Sequence, residues 1–193
     1  MGAPKITDKR WTIDLEKRIQ ESHYSDNPSR YSFDPNSDKE LFVIDTPPPY
    51  PSGTWHIGAV AQYSMIDVIA RSQRLIGKEV LFPWGVDRNG INIEFTVEKK
   101  TGKKMRTYDR GEFLDLCKET IELYTQSMRR TAKRVGLSCD YDNEYLTDSP
   151  NYRSVTQSIF IDLFKKGDII EDLRPNIYDL SLIHISEPTR PTP

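Results

Sequence analysis

The sequence predicts an α/β fold: a parallel sheet with flanking helices. Three observations carry this. Two short apolar runs, Leu41-Phe42-Val43-Ile44 and Val80-Leu81-Phe82, have the length and residue types of buried strands. Between them, residues 56–76 repeat apolar side chains at helical spacing. Strand, loop, helix and strand within about forty residues make a βαβ unit, which joins parallel strands by a right-handed crossover.

The elements follow in order. Trp11, Leu15 and Ile19 recur at every fourth position among charges, which predicts a helix over 7–22. Residues 24–39, rich in Ser, Asp, Asn and Pro, predict a loop. Strand 41–44 runs into a proline-rich loop from Asp45 to Gly53. Ile57, Ala61, Met65, Val68 and Ile76 mark the apolar positions of the next helix, and Gly77 supplies its stop. After strand 80–82, Pro83 to Gly90 reads as a second loop. A short helix is expected over 91–100 and a longer one over 111–135. The longer one carries Phe113, Leu116, Thr120, Tyr124, Met128 and Val135 on one face and ends at Gly136. Pro150 suits the first turn of a further helix capped by Ser149. That helix is expected to bury Ile159, Leu163 and Phe164 and to stop at Gly167, with Ile169-Ile170 opening another strand.

Composition excludes several classes. Hydrophobic residues make up 36% and charged residues 29%, the balance of a globular chain and not of a disordered one. A net charge of -2 gives no global attraction for a polyanion, so nucleic-acid contact would need local basic patches. Those are Lys99, Lys100, Lys103, Lys104 and Arg106, and Arg129, Arg130, Lys133 and Arg134; interspersed acids favour a solvated helix face. No apolar run suits a signal peptide or membrane span, so the cytoplasm is the expected compartment. Cys117 and Cys139 form no CxxC pair, and Cys117 is expected to be a core thiol. The histidines make no HExxH, which leaves a zinc hydrolase unsupported.

Chemistry concentrates in Asp45-Thr-Pro-Pro-Pro-Tyr-Pro-Ser-Gly-Thr-Trp-His-Ile-Gly58, between a strand's carboxyl end and a helix's amino end. Open α/β sheets bind ligands in that crevice. The helix start offers unpaired N–H groups and a positive dipole, which suit phosphate. The prolines form a stiff ledge whose bare carbonyls can receive an ammonium group. Gly53 and Gly58 remove side chains where a nucleotide must come close, and His56 stands beside the expected phosphate. No GxxxxGK[ST] or GxGxxG occurs, and Gly77-Lys78 follows a helix instead of opening one.

Pro-Pro-Pro, Ser-Gly and His56-Ile57-Gly58-Ala59 resemble the HIGH signature of class I aminoacyl-tRNA synthetases. Phe82-Pro-Trp-Gly-Val-Asp-Arg-Asn-Gly90 resembles that family's second catalytic loop in order and spacing. Asp-Thr-Pro-Pro-Pro, Asp87-Arg88-Asn89-Gly90 and the stretch 146–176 look like valyl enzymes of the archaeal type. The resemblance covers residues 9–176. It implies half of a Rossmann-type parallel sheet, incomplete in this chain. The domains expected are an N-terminal helix and loop (1–40), the first half of the catalytic domain leading into the connective insertion (41–176), and a non-native tail (177–193). Ser181 to Pro193 resembles translated sequencing-adapter read-through.

By this resemblance, ATP with Mg2+ is a substrate, and valine and tRNA(Val) are the partners of the full-length enzyme, a monomer without membrane contact. His56 matches the residue that meets ATP phosphate and transition-state charge. Gly58 matches the glycine that lets adenosine lie against the helix. Asp87 matches the acid that holds the substrate ammonium, and Pro47 the ledge beside it. Asn89 and Gly90 would border the nucleotide. Ala59 departs from the signature, which has a second histidine there. No KMSKS-like loop occurs; Lys103-Lys104-Met105 sits in the wrong half of the fold. The family's zinc knuckle would follow near the tail, so no zinc is expected here, and the chain alone is expected to be inactive. Tyr50-Pro51-Ser52-Gly53 is similar to bacterial leucyl enzymes, which keeps leucine as an alternative; isoleucine and a small HxGH nucleotidyltransferase are the others.

Overall fold

The computed structural model describes residues 8–51 and 53–173. The chain divides into two compact units, the first running to Arg153 and the second from Ser154. In order come α1 (Ile13–Asp26), β1 (Leu41–Val43), α2 (Ile57–Leu75), β2 (Glu79–Leu81), β3 (Pro83–Val86), α3 (Asn92–Thr101), α4 (Arg110–Val135), β4 (Asp140–Leu146) and α5 (Pro150–Lys166). A 3-10 turn at Met105–Thr107 separates α3 from α4. The expected tail, 177–193, lies outside the described residues.

The βαβ unit forms as expected. β1 pairs parallel with β2, with Leu41 opposite Glu79 and Val43 opposite Leu81. Ile44 N extends the ladder to Leu81 O at 2.9 Å. The second loop, however, starts later than the sequence predicted. Residues 83–86 are strand β3, which pairs parallel with β4. Phe82 O accepts from Asp140 N at 2.7 Å, so the extended chain passes from one ladder to the next with little interruption. Val80, Phe82, Trp84 and Val86 are all buried, a period of two that Pro83 and Gly85 disguised. Gly85 is there for space: a Cβ would collide with the Tyr145 ring of β4.

α2 buries the face opposite to the one expected. Ile57, Ala61, Met65, Val68 and Ile76 are exposed, while Tyr63, Asp67 and Ala70 are buried. The reason is polar. Asp67 Oδ1 accepts from Ser138 N at 2.7 Å and from Ser138 Oγ at 2.5 Å. Its other oxygen pairs with Arg71 Nε at 2.7 Å. A buried carboxylate with this many partners anchors a helix as firmly as an apolar side chain, and no apolar period reveals it.

α1 starts after its Thr12 cap, so Trp11 precedes it, and it runs to Asp26, into the predicted loop. α4 buries Phe113, Cys117, Thr120, Thr125, Met128 and Ala132, while Val135 is exposed. Asp109 caps α4 by accepting from Gly111 N and Glu112 N, and Gly136 closes it in the left-handed conformation. β1 is half exposed through Leu41 and Val43, not buried. In α5 no residue is buried: Ile159 and Phe164 are exposed and Leu163 is half-buried, against expectation. Among the described residues no strand begins at Ile169-Ile170. Ser149 does cap α5, accepting from Tyr152 N at 3.3 Å.

The described residues of the first unit form two apolar clusters. The larger joins Tyr63 and Ala70 of α2, the alternating face of residues 80–86, Met128 and Ala132 of α4, and Leu137, Cys139 and Tyr141. The smaller joins Ile93 and Val97 of α3 to Phe113 and Cys117 of α4, so Cys117 is a core thiol as expected. Gly85→Ala should destabilise the polypeptide by about 1–3 kcal/mol in urea denaturation, because the new methyl meets an aromatic ring in a packed ladder. Combining it with Tyr145→Ala should recover part of that loss, a coupling that a double-mutant cycle measures.

Candidate functional site

The loops after β1 and β3 meet at the carboxyl ends of these strands. Asp87 N, one residue past β3, donates to Pro49 O of the proline loop at 2.9 Å. An aromatic column backs the junction. The Trp55 ring stacks on Tyr63 at 5.0 Å and tilts against Trp84 at 5.8 Å, and Trp84 meets Tyr141 at 5.7 Å. The residue before His56 touches the β3 tryptophan, and Asp87 is bonded to the ledge at Pro49. Neither is buried, His56 being exposed and Asp87 half-buried.

His56 is the N-cap of α2. Its Nδ1 accepts from Gly58 N at 3.1 Å and from Ala59 N at 3.3 Å. An accepting Nδ1 leaves Nε2 as the N–H donor of a neutral ring. The cap also gives Gly58 a local purpose, since a Cβ there would lie 3.0 Å from the imidazole. First-turn amides that the sequence offered to a phosphate are thus partly engaged by the histidine itself.

Pro47 O accepts from Tyr63 Oη at 2.9 Å, which holds the ledge on α2 and leaves one carbonyl lone pair for another donor. Asp87 Oδ1 accepts from Thr147 Oγ1 and from Asn89 N, each at 3.1 Å. The Tyr50 phenol stands against the same carboxylate. Its pKa is raised by the charge of Asp87, then by their hydrogen bond and by burial. Asn89 Nδ2 donates to Thr147 Oγ1 at 3.0 Å, and Gly90, at φ 121, occupies a backbone region that side chains avoid. Arg88 sits within 3.1 Å of both Glu122 and Asp148.

Thr147, Tyr50 and Tyr63 were not singled out by sequence reasoning. Only the string Leu146-Thr-Asp-Ser, already set apart by its resemblance, pointed toward Thr147. Among the basic residues, Lys104 pairs with Glu98 and Arg129 with Glu144. A cavity of about 370 Å³ opens at the strand ends among Val43, Asp45, Thr46, Pro83, Tyr145 and Tyr152. A larger one, about 550 Å³, lies between α1 and the end of α4, lined by Trp11, Ile19 and Arg134, and includes none of the loop residues above. Among the described residues no group of three or more His, Cys, Asp or Glu is placed to hold a metal ion. None of their helices is long and apolar enough to cross a membrane.

Parallel strands, a loop leading into a capped helix start and a carboxylate loop beside it define an α/β fold with its ligand crevice at the strand ends. The family described as tRNA synthetases class I (I, L, M and V) matches residues 21–185, and the chain belongs to it. It is 43% identical over 177 residues to the valine–tRNA ligase of Aeropyrum pernix, covering 89% of this chain and 21% of that protein. Over 148 residues it is 45% identical to the valine–tRNA ligase of Archaeoglobus fulgidus, covering 77% and 17%. The likeness reaches bacteria: the Rickettsia akari valine–tRNA ligase is 43% identical over 150 residues, covering 77% and 18%. Among solved structures, the Agrobacterium radiobacter K84 agnB2 LeuRS, in its ternary complex with tRNA and LeuAMS, matches with a TM-score of 0.63 at 30% identity. That match covers 79% of this chain and 17% of the other. The chain spans about a fifth of the length of the curated relatives it matches.

Burial, with smaller contributions from Tyr145 and Cys139, pushes the Tyr63 phenol up to about 12. The native state therefore holds this proton more tightly than the unfolded chain, whose tyrosines titrate near 10.0. The stability Tyr63 contributes is fully present below that value and is lost as pH rises through about 12. Urea midpoints followed with tyrosinate absorbance should fall across this window. Tyr63→Phe should flatten the fall and, through the lost bond to Pro47, destabilise the neutral protein by about 1 kcal/mol.

Proposed function

We propose that the polypeptide carrying this segment is a valine–tRNA ligase. It activates valine with ATP, releases pyrophosphate and transfers the valyl group to tRNA(Val). The observation that carries this is the bonded meeting of the ledge and the carboxylate loop, Asp87 N to Pro49 O, in a chain so similar to valine–tRNA ligases.

In the first step a valine carboxylate oxygen attacks the α-phosphorus of ATP, the bond to the bridging oxygen breaks, and pyrophosphate departs. Positioning and charge stabilisation supply the catalysis, without a side-chain nucleophile. Asp87 receives the α-ammonium as a charge-assisted contact, and the second lone pair of Pro47 O shares it. His56, with Nδ1 spent on its own helix, offers Nε2–H to the phosphate. Gly58 keeps the helix start open to adenosine, and Asn89 and Gly90 border the nucleotide. Mg2+ enters with ATP as part of the substrate. Ala59 supplies no donor where the signature has one, so His56 carries more of the phosphate charge. Residues 1–40 then precede the first half of the catalytic domain, 41–176, and 177–193 form a non-native tail. The cytoplasm is the site of action.

The test is amino-acid-dependent ATP–pyrophosphate exchange by the full-length gene product. Valine is expected to drive it, and the present chain alone to show none. Asp87→Ala should lower kcat/KM for valine by about 10²-fold, and His56→Ala should lower kcat by about 10²-fold. Exchange driven by leucine or isoleucine instead would move the assignment within the family. Absence of exchange with all three would remove it.

A further inference from the structure

Asp87, Arg88 and Asn89 share one partner. Thr147, just past β4, is buried. A hydroxyl offers one donor and two acceptor positions. Thr147 Oγ1 uses all three: it donates to Asp87 Oδ1 at 3.1 Å and accepts from Arg88 N at 2.9 Å and Asn89 Nδ2 at 3.0 Å. Its own backbone is fixed too, since Thr147 N donates to Val86 O at 3.2 Å. One saturated hydroxyl thus ties three consecutive loop residues to the end of β4.

We propose that Thr147 is a positioning residue that sets the Asp87 carboxylate in the orientation that receives the substrate ammonium. The inference rests on the ligase reading and adds to it a residue that does not itself touch substrate. The physical case is one of constraint. A carboxylate on a loop can turn about its Cβ–Cγ bond, and a misplacement on the order of 1 Å costs about 10²-fold in such sites. The Asn89 amide reaches the same oxygen but rides on the same loop. Thr147 anchors the carboxylate from the end of another strand, while the exposed Tyr50 phenol meets it from the proline loop, and the ion pairs of Arg88 with Glu122 and Asp148 hold the adjacent residue against the same surroundings.

Thr147→Val keeps the shape and removes all three bonds, whereas Thr147→Ser keeps the hydroxyl. In the full-length enzyme, Thr147→Val is expected to raise KM for valine by about tenfold or more while moving KM for ATP less than about twofold. Thr147→Ser should stay within about threefold of the parent for both. Hydrogen exchange at the Arg88 amide should quicken in Thr147→Val and not in Thr147→Ser, because only the former lacks its acceptor. Equal changes in both KM values, or a Thr147→Val enzyme indistinguishable from the parent, would overturn the proposal. Should Thr147→Val lose its folded signal, Thr147→Ala repeats the measurements with the same two outcomes. If the parent enzyme exchanges with no amino acid, the ligase reading falls. The Arg88 amide then decides for the loop: faster exchange in the valine variant supports the anchoring, and equal rates end it.

Discussion

Residues 79–86 form an extended stretch that serves two ladders. Its first half pairs with β1 and its second half with β4. Phe82 O, between the halves, accepts from Asp140 N. This shared strand is the constraint on which the rest depends. Because all three segments run parallel, their carboxyl ends collect on one side. The proline loop leaves from one, the Asp87 loop from the next, and Thr147 from the third. No long-range device is needed to gather the site; strand direction does it.

The helices are seated by polar contacts as much as by apolar ones. Asp67, paired with Arg71 of its own helix, ties α2 to Ser138, and Arg74 reaches Ser138 from the same helix at 2.6 Å. Asp140 is buried as well, accepting from Phe33 N at 2.9 Å and Asn143 Nδ2 at 2.7 Å. The Asp67 carboxylate fixes α2 in one rotation, because a turn of the helix would strand it without partners, and Asp140 ties β4 to the loop at Phe33. The same logic fixes the ledge, where a buried phenol meets a proline carbonyl.

How much of this was readable in the sequence follows from the kind of force involved. The βαβ unit was legible because its strands and helix announce themselves by apolar runs and by glycine stops. The loop residues Pro47, His56, Gly58, Asp87, Asn89 and Gly90 were legible as candidates by their order between such elements and by resemblance. β4 was not legible: Asp-Tyr-Asp-Asn-Glu-Tyr-Leu is too polar to look like a strand, and it forms by pairing with β3, far away in sequence. The buried side of α2 was misread because its anchor is an aspartate. α5 was misread because an apolar period states which residues would be buried, not whether anything covers them. Thr147 gave no signal of its own, since a hydroxyl with three partners looks in sequence like any threonine.

One feature of α2 bears on how such a molecule behaves in a test tube. Its outward flank presents Ile57, Met65 and Val68 to solvent, Ile76 follows at its end, and β1 shows Leu41 and Val43. A stripe of that kind is adhesive. Melting temperatures recorded on this polypeptide by itself would drift with the amount dissolved, because self-association would add its own free energy to that of the fold.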